Sequence, residues 1–224
     1  MGAATYTYQW PLSTGATFAV YKPELIIPTP ANFLTSVVAD QCDIVLCVPV
    51  FVEAWAQDPV NIAAMKNLDA LVGDLSRETI PNLALAHSQV VTGASLDKSV
   101  GDMLAEAGVI LHSLWGSTET GPATMILPRE MPDPREWQWF RLSTHITFQM
   151  KQQDHPENVF EPIVIPTKQS FPATFNTTYL DKPAFSTGDL LERHPSDTRR
   201  WRVYGRRDEQ IMLSTGDNVN PLAM

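Results

Sequence analysis

The stretch Leu111-His112-Ser113-Leu114-Trp115-Gly116-Ser117-Thr118-Glu119-Thr120-Gly121 decides how the rest of this 224-residue chain is interpreted. Residues Val109 to Trp115 are apolar and β-prone, which is typical of a buried strand. The strand is predicted to end at Gly116, where two hydroxyls, one carboxylate and a second glycine follow. Because open α/β sheets bind ligands at the carboxyl ends of their strands, this loop is a candidate ligand site.

The side chains of this loop allow two interpretations. Neutral hydroxyl donors can hold a phosphate group, and a single carboxylate beside them can hold the Mg²⁺ that accompanies it. The alternative is a polar turn in which Thr118 and Glu119 cap the start of a helix. The stretch alone leaves both open, because short motifs also match by chance.

Composition excludes several classes of protein. The net charge of −9 argues against nonspecific nucleic-acid binding, which requires clustered Lys and Arg. No apolar run approaches the ~20 residues of a membrane helix, and the N-terminus lacks a signal-peptide pattern. Cys42 and Cys47 are the only cysteines, too few for a disulfide framework, and we expect free thiols. The expectation is a cytoplasmic protein with no nucleic-acid or membrane partner.

The first part of the chain alternates strand-like and helical patterns, which predicts an α/β layer with parallel strands. Ala31 to Asp40 is a predicted helix, Asp43 to Val48 a strand, and Asp58-Pro59 a helix start with an acidic cap. A further helix is predicted to open at Ser95 and to end at Gly108. Its apolar face would comprise Val100, Met103, Leu104 and Ala107.

From Pro132 the pattern changes to short β-like runs between Pro and polar turns. The predicted strands are Thr144 to Met150, Val159 to Ile165, Ala173 to Tyr179 and Trp201 to Tyr204. The predicted fold class is therefore α/β, with a parallel-sheet layer followed by a small β-rich subdomain.

Two later stretches support the ligand interpretation of the loop. Ser186-Thr187-Gly188-Asp189 is followed, after one short segment, by Gly205-Arg206-Arg207-Asp208. Together with Trp115-Gly116-Ser117-Thr118-Glu119, and in this order, they resemble three signature motifs of the adenylate-forming enzymes. That superfamily contains acyl-CoA synthetases, luciferases and the adenylation domains of non-ribosomal peptide synthetases. The tail from Gln210 to Pro221 is most similar to the fungal reductase-type, synthetase-like branch.

The resemblance implies a definite chemistry. Enzymes of this family join a carboxylate to the α-phosphate of ATP, release pyrophosphate and pass the acyl-adenylate to a thiol. The implied cofactors are ATP or AMP and Mg²⁺. The implied partners of the full enzyme are a small carboxylic acid and, as acceptor, CoA or the phosphopantetheine thiol of a carrier protein. Since an anion must approach an anionic phosphate, alignment and charge neutralisation carry the catalysis.

The resemblance also implies roles for the residues of the first and second motifs. Thr118 would bond the α-phosphate and Glu119 would ligate Mg²⁺, while Gly116 and Ser117 complete the nucleotide loop. Trp115 would stack on the adenine; the alternative is a core tryptophan that ends a strand. Asp189 would accept both ribose hydroxyls, for which a carboxylate is suited, unless it belongs to an ordinary Gly-Asp turn.

Further roles follow for the third motif and its surroundings. Arg206 would reach the ribose and Asp208 would be the hinge of the C-terminal lobe; the alternative is a surface ion pair, which contributes little. Gly93 and Ala94 match a turn that touches the adenine, although a tight helix start also explains the glycine. The acyl pocket would be bordered by the small or apolar residues Leu114, Pro122 and Ala123.

The implied domains are 1–131 for the α/β part of the AMP-binding large lobe, 132–205 for the β-rich subdomain and 206–224 for the hinge and a stub of the C-terminal lobe. The triphosphate loop and the catalytic lysine of the family would then lie outside this chain. Gly73 to Val90 has no counterpart in the family pattern. It is either a retained intron, which transcript sequences would test, or a surface loop.

The sequence thus predicts a partial large lobe of an ATP-dependent, acyl-adenylate-forming ligase, with little or no activity by itself. The alternative is a non-enzymatic product that at most binds AMP or a partner protein. An unrelated NAD or sugar-nucleotide enzyme ranks last, because no G-x-G-x-x-G occurs.

Overall fold

The computed structural model describes residues 28–42, 44–66, 88–91, 96–124, 133–154, 156–207, 211–212 and 218–219, together with the single residues 12, 17 and 19. These residues fall into two compact units. One, the α/β unit, contains the described residues up to Leu114 and the segment 133–137. The other, the β unit, contains residues 115–124 and those from 138 onward.

The α/β unit has a parallel three-stranded sheet of order β1-β2-β3, as the alternating pattern predicts. Its strands are β1 (Ile44–Cys47), β2 (Ser88–Val91) and β3 (Ile110–Ser113). Its helices are α1 (Pro30–Ala39), α2 (Pro49–Trp55), α3 (Pro59–Lys66) and α4 (Lys98–Glu106), and a 3-10 turn spans Pro134–Glu136. Of the segment predicted to be an insertion, 88–90 belong to β2 and 73–87 lie outside the described residues.

The starts of α1 and α3 follow from local sequence. Thr29 and Asn32 form a reciprocal capping box, and Pro30 occupies the first turn, where its missing N–H costs nothing. At α3 the Asp58 Oδ1 accepts the Val60 N–H at 2.8 Å, which confirms the predicted acidic cap.

Helix α4 begins later than predicted, and its buried face matches the predicted one only in part: Leu104 is buried and Val100 packs against the core, as predicted. Its N-cap is Asp97, whose carboxylate accepts the Val100 N–H, and Gly108 (φ +89°) follows its end. The buried residues are Gly101, Leu104 and Ala105. Met103 is 40% exposed, so its predicted place in the core was wrong. Gly101 belongs to the buried face of the helix, and a pattern of apolar side chains does not detect a buried glycine.

The β unit is built on a seven-stranded antiparallel sheet of order β6-β12-β11-β8-β10-β9, with β7 paired to β8. The strands are β6 (Phe140–Arg141), β7 (Thr147–Gln152), β8 (Val159–Ile165), β9 (Thr177–Tyr179), β10 (Lys182–Ser186), β11 (Asp189–Arg193) and β12 (Arg200–Arg206). The hairpin strands β4 (Gly116–Ser117) and β5 (Gly121–Pro122) pair with each other, as do β13 (Ile211–Met212) and β14 (Asn218–Val219).

Strand β8 is the centre of this sheet. It pairs with β7 on one side and with both β10 and β11 on the other. Consequently its first six residues are buried, including Glu161. The sequence predicts β8 correctly but not β10 or β11. Strand β11 has charged residues at Asp189, Glu192 and Arg193, and β10 begins with Lys182 and Pro183, so neither shows the apolar pattern of a strand.

Among the described helices, none has the length and apolar character that a membrane crossing requires.

Candidate functional site

The loop after β3 is a tight hairpin and not a helix start. Ser117 and Thr120 close it: the Ser117 N–H donates to Thr120 Oγ1 at 3.1 Å, and the Thr120 N–H donates to Ser117 Oγ at 3.3 Å. Thr118 and Glu119 lie at the turn between β4 and β5, so the helix-capping alternative is wrong. The hydrogen bonds of Ser117 and Thr120 leave Thr118 exposed at the tip, with Glu119 half-buried beside it.

Gly116 is required by the close approach of the two hairpin strands. A Cβ at this position would lie 2.3 Å from the carbonyl oxygen of Gly121 and 3.0 Å from the main-chain nitrogen of Ala123. Both obstacles are backbone atoms that no side-chain rotation removes. The glycine of the first motif therefore has a structural role irrespective of any ligand.

The three sequence motifs converge on the carboxylate of Asp189, the first residue of β11. Its Oδ2 accepts the indole N–H of Trp115 at 2.8 Å. Its Oδ1 accepts from Nη1 of Arg206 at 3.0 Å, across the β11–β12 pair. These residues are 74 and 17 positions from Asp189 in sequence. The fold thus brings together one predicted site residue from each motif.

Trp115 is also part of the core of the β unit. Its side chain is only 6% exposed, and its ring stacks on Phe140 with 6.3 Å between ring centroids and 8° between planes. Phe148 approaches it at 5.9 Å with a 45° tilt. The core alternative is thereby confirmed for the ring. Stacking on adenine stays a prediction, for which little of the ring surface is open in this structure.

The residues predicted to border the acyl pocket differ in burial. Leu114 and Pro122 are half-buried, and Ala123 is fully buried. The Ala123 N–H donates to the Trp115 carbonyl at 2.9 Å, and the Ala123 carbonyl accepts the Ser143 N–H at 2.8 Å. The second bond holds the residue after the hairpin to Ser143, just beyond β6. Gly93, Ala94 and Asp208 lie outside the described residues.

Sequence reasoning missed the groups that fix the second motif in place. The Asn176 side chain bonds both main-chain groups of Ser186: its Nδ2 donates to the Ser186 carbonyl at 2.9 Å, and its Oδ1 accepts the Ser186 N–H at 2.7 Å. Glu161, 1% exposed, accepts the hydroxyl of Ser186 on one oxygen and Nη1 of Arg207 at 2.9 Å on the other. A charged residue inside the apolar run of β8 was the available signal, because a buried carboxylate needs such partners.

Burial shifts the pKa of two side chains on the strands of the parallel sheet. In the α/β unit, burial lowers the pKa of His112, on β3, because desolvation disfavours the charged imidazolium. Burial also raises the pKa of the Cys47 thiol to about 12, so this cysteine is an inert core residue. No cluster of three or more metal-ligating side chains occurs among the described residues.

Comparison with known proteins identifies the relatives of this chain. No protein-family model matches it. The adenylate-forming reductase Nps10 of Heterobasidion annosum is 32% identical over 214 residues, which cover 95% of this chain. The chain is a partial homologue of the fungal adenylate-forming reductases. It spans only 18% of the length of that relative.

Solved structures share the fold of this chain. The anthranilate CoA ligase AuaEII, solved with anthranoyl-AMP, superimposes with a TM-score of 0.64 at 14% identity, covering 96% of this chain and 39% of the ligase. The O-succinylbenzoate CoA synthetase MenE of Bacillus subtilis, solved with AMP, gives a TM-score of 0.56 at 13% identity and covers 87% of this chain and 37% of the synthetase. The fold is therefore that of part of an adenylate-forming enzyme.

Proposed function

We propose that this chain carries the nucleoside half of an acyl-adenylate site in an ATP-dependent, carboxylate-activating enzyme. The convergence of Trp115 and Arg206 on Asp189 carries the proposal. Two donors that hold one carboxylate at a strand start fix its position before a ligand arrives, which lowers the cost of ordering it on binding.

Asp189 is the residue proposed to bind ribose. Its two oxygens accept N–H groups from Trp115 and Arg206 in this structure. An ionised carboxylate offers about four acceptor positions on two oxygens, a geometry suited to two vicinal hydroxyls. Arg206, half exposed, would add a donor to the ribose from the neighbouring strand.

The hairpin tip is proposed to hold the phosphate. The exposed Thr118 hydroxyl would donate to the α-phosphate, and Glu119 would ligate Mg²⁺. A single carboxylate fits this ion, which proteins commonly bind through one or two carboxylates with substrate phosphates and water. Bound there, Mg²⁺ would supply neutralisation of phosphate charge.

Further residues are proposed to contact the adenine and the acyl group. Gly93, Ala94 and Trp115 would contact the adenine, while Leu114, Pro122 and Ala123 would border an uncharged acyl group. A small carboxylic acid would be the substrate, and Asp208 the hinge. In the full protein, CoA or a carrier-protein phosphopantetheine thiol would be the acceptor, in the cytoplasm.

Calorimetric titration with AMP and with a non-hydrolysable acyl-adenylate analogue, with Mg²⁺ present, tests the proposal. Asp189→Asn should weaken AMP binding at least tenfold, and Glu119→Ala should weaken only the Mg²⁺-dependent part. Glu192→Gln is the matched control for Asp189, because Glu192 lies on the same strand and forms an ion pair with Arg202 on the same neighbouring strand.

A folded wild-type chain that binds neither ligand would contradict the proposal. The non-enzymatic alternative, a product that at most binds a partner protein, would then take its place. Equal losses in Asp189→Asn and Glu192→Gln would likewise sink the assignment of Asp189.

A further inference from the structure

An open polar pocket of 190 Å³ lies in the β unit, at the junction of the second and third motifs. Of its lining residues only Arg206 has a role in the proposed nucleoside site. The pocket is lined by Asn176, Ser186, Thr187, Gly188, Arg206 and Arg207.

The neutral side chains of this pocket are already engaged in holding its wall. The Asn176 amide bonds the main chain of Ser186, and the Ser186 hydroxyl donates to Glu161. The Thr187 hydroxyl donates to the carbonyl of Pro162 in β8 at 3.1 Å and accepts the main-chain N–H of Asp189 at 3.2 Å. A neutral polar ligand would therefore have to break the bonds that form the pocket.

The two guanidinium groups are presented differently. Arg207 is 53% exposed, whereas its partner Glu161 is 1% exposed behind it, and the pair uses only Nη1 of the arginine at 2.9 Å. The Nε and Nη2 groups of Arg207 make no hydrogen bond to any described residue. Arg206 is 46% exposed, against 18% for its partner Asp189.

The carboxylates of Asp189 and Glu161 are less exposed than the arginines they pair with, so they hold the guanidinium groups in place and leave them accessible to solvent. The charged side chains that line the pocket are therefore those of two cations, Arg206 and Arg207, in a chain whose net charge is −9. A guanidinium group matches the oxygens of phosphate in a paired geometry that an ammonium group does not provide. The volume accommodates one such group.

We infer that this pocket is an oxyanion site that binds a phosphate group, with Arg207 as the principal ligand. The phosphate is either free or part of a phosphorylated ligand. The inference goes beyond the nucleoside site, because it requires neither ribose at Asp189 nor Mg²⁺ at Glu119. Failure of AMP to bind leaves it unaffected.

The test is titration of the full chain with inorganic phosphate at low ionic strength, by calorimetry and by NMR of the arginine side chains. The decisive variant is the double substitution Glu161→Gln with Arg207→Gln, which removes one charge of each sign and leaves the net charge at −9. It also leaves an amide oxygen to accept the Ser186 hydroxyl. We expect at least a tenfold loss of phosphate affinity.

The matched control is the double substitution Glu192→Gln with Arg202→Gln. This pair joins the same residue types between β11 and β12, with Arg202 Nη2 2.6 Å from Glu192 Oε2, and it does not line the pocket. Phosphate affinity should be unchanged in this variant. No phosphate binding by the wild-type chain, or equal losses in both double variants, would overturn the inference.

Two further arms complete the design. If the decisive double variant does not fold, as circular dichroism would reveal, Arg207→Lys replaces it; the charge persists but the paired geometry is lost, and we expect several-fold weaker binding. An unchanged affinity in Arg207→Lys would overturn the role of Arg207. Titration of AMP into the phosphate-saturated chain distinguishes the sources: competition supports a nucleotide phosphate in the pocket, and independent binding supports a separate phosphate.

Discussion

The indole of Trp115 has two separable contacts, a ring packed on Phe140 and an N–H bonded to Asp189. Trp115→Phe retains an aromatic ring for the packing and deletes the donor to a carboxylate. Since hydrogen bonds to charged groups contribute more than those between neutral groups, we expect the free energy of unfolding to fall by about 1.5–3 kcal/mol. Urea denaturation monitored by circular dichroism measures it.

Trp139→Phe is the control for this substitution. Trp139 is half-buried in the same unit, and its indole N–H has no hydrogen-bond partner among the residues that the structure describes. A loss in Trp139→Phe as large as that in Trp115→Phe would mean that ring size, and not the bond to Asp189, determines the effect. If the proposed ribose site is correct, only Trp115→Phe should also weaken AMP binding.

At the scale of secondary-structure elements, the substitution Gly101→Ala in helix α4 has two opposing effects on stability. In an unobstructed helix interior, replacing glycine by alanine would raise the free energy of unfolding by about 1 kcal/mol. Here the added Cβ would lie 2.1 Å from Cζ2 of Trp137, a ring held by its N–H donated to Asp102 at 3.1 Å. Overpacking costs about 1–3 kcal/mol, so we expect Gly101→Ala to be destabilising.

The same substitution in a Trp137→Ala background provides the check. Without the indole the obstruction is gone, and Gly101→Ala should now raise the midpoint of thermal unfolding. A double-mutant cycle with no coupling between positions 101 and 137 would contradict the packing argument.

The turn of the β9–β10 hairpin is a position where a substitution should raise the stability of the chain. Its turn residues Leu180 (φ +48°) and Asp181 (φ +61°) both adopt left-handed backbone conformations, and the Leu180 side chain is 78% exposed. Asn tolerates this conformation better than Leu, so Leu180→Asn should stabilise the chain by about 0.5–1 kcal/mol. Phe171→Asn, at another exposed apolar residue, removes a similar surface without the turn effect; an equal gain there would rule out the backbone explanation.

For the whole molecule, the buried His112 predicts sensitivity to acid. Burial lowers its pKa in the folded state, while the unfolded chain keeps a value of about 6.5. The unfolded state therefore binds more protons between the two values, and the free energy of unfolding falls as the pH drops through that window. Above about pH 7.5 this group should have no effect.

Urea denaturation at pH 7.5 and at pH 5 measures this dependence. His112→Gln should reduce the difference in unfolding free energy between the two pH values. His145→Gln, at an exposed position of the β unit, should retain it. If both variants behave alike, His112 is not the group responsible.

Local sequence determined the features that depend on local physics. The acidic cap at Asp58 and the apolar run of β8 are each evident within one segment of sequence, and both are present in the structure. The order of the three motifs was likewise enough to indicate the adenylate-forming family, which the relatives confirm.

Tertiary structure decided what depends on distant partners. Strands β10 and β11 pair with β8 and also with β9 and β12, respectively, and Trp137 packs over Gly101 of α4 while Met103 stays exposed. The bond from Trp115 to Asp189 and the burial of Glu161 against Arg207 join residues 74 and 46 positions apart. Such pairings depend on how the strands of the β unit align, and no pattern within one segment of sequence encodes that alignment.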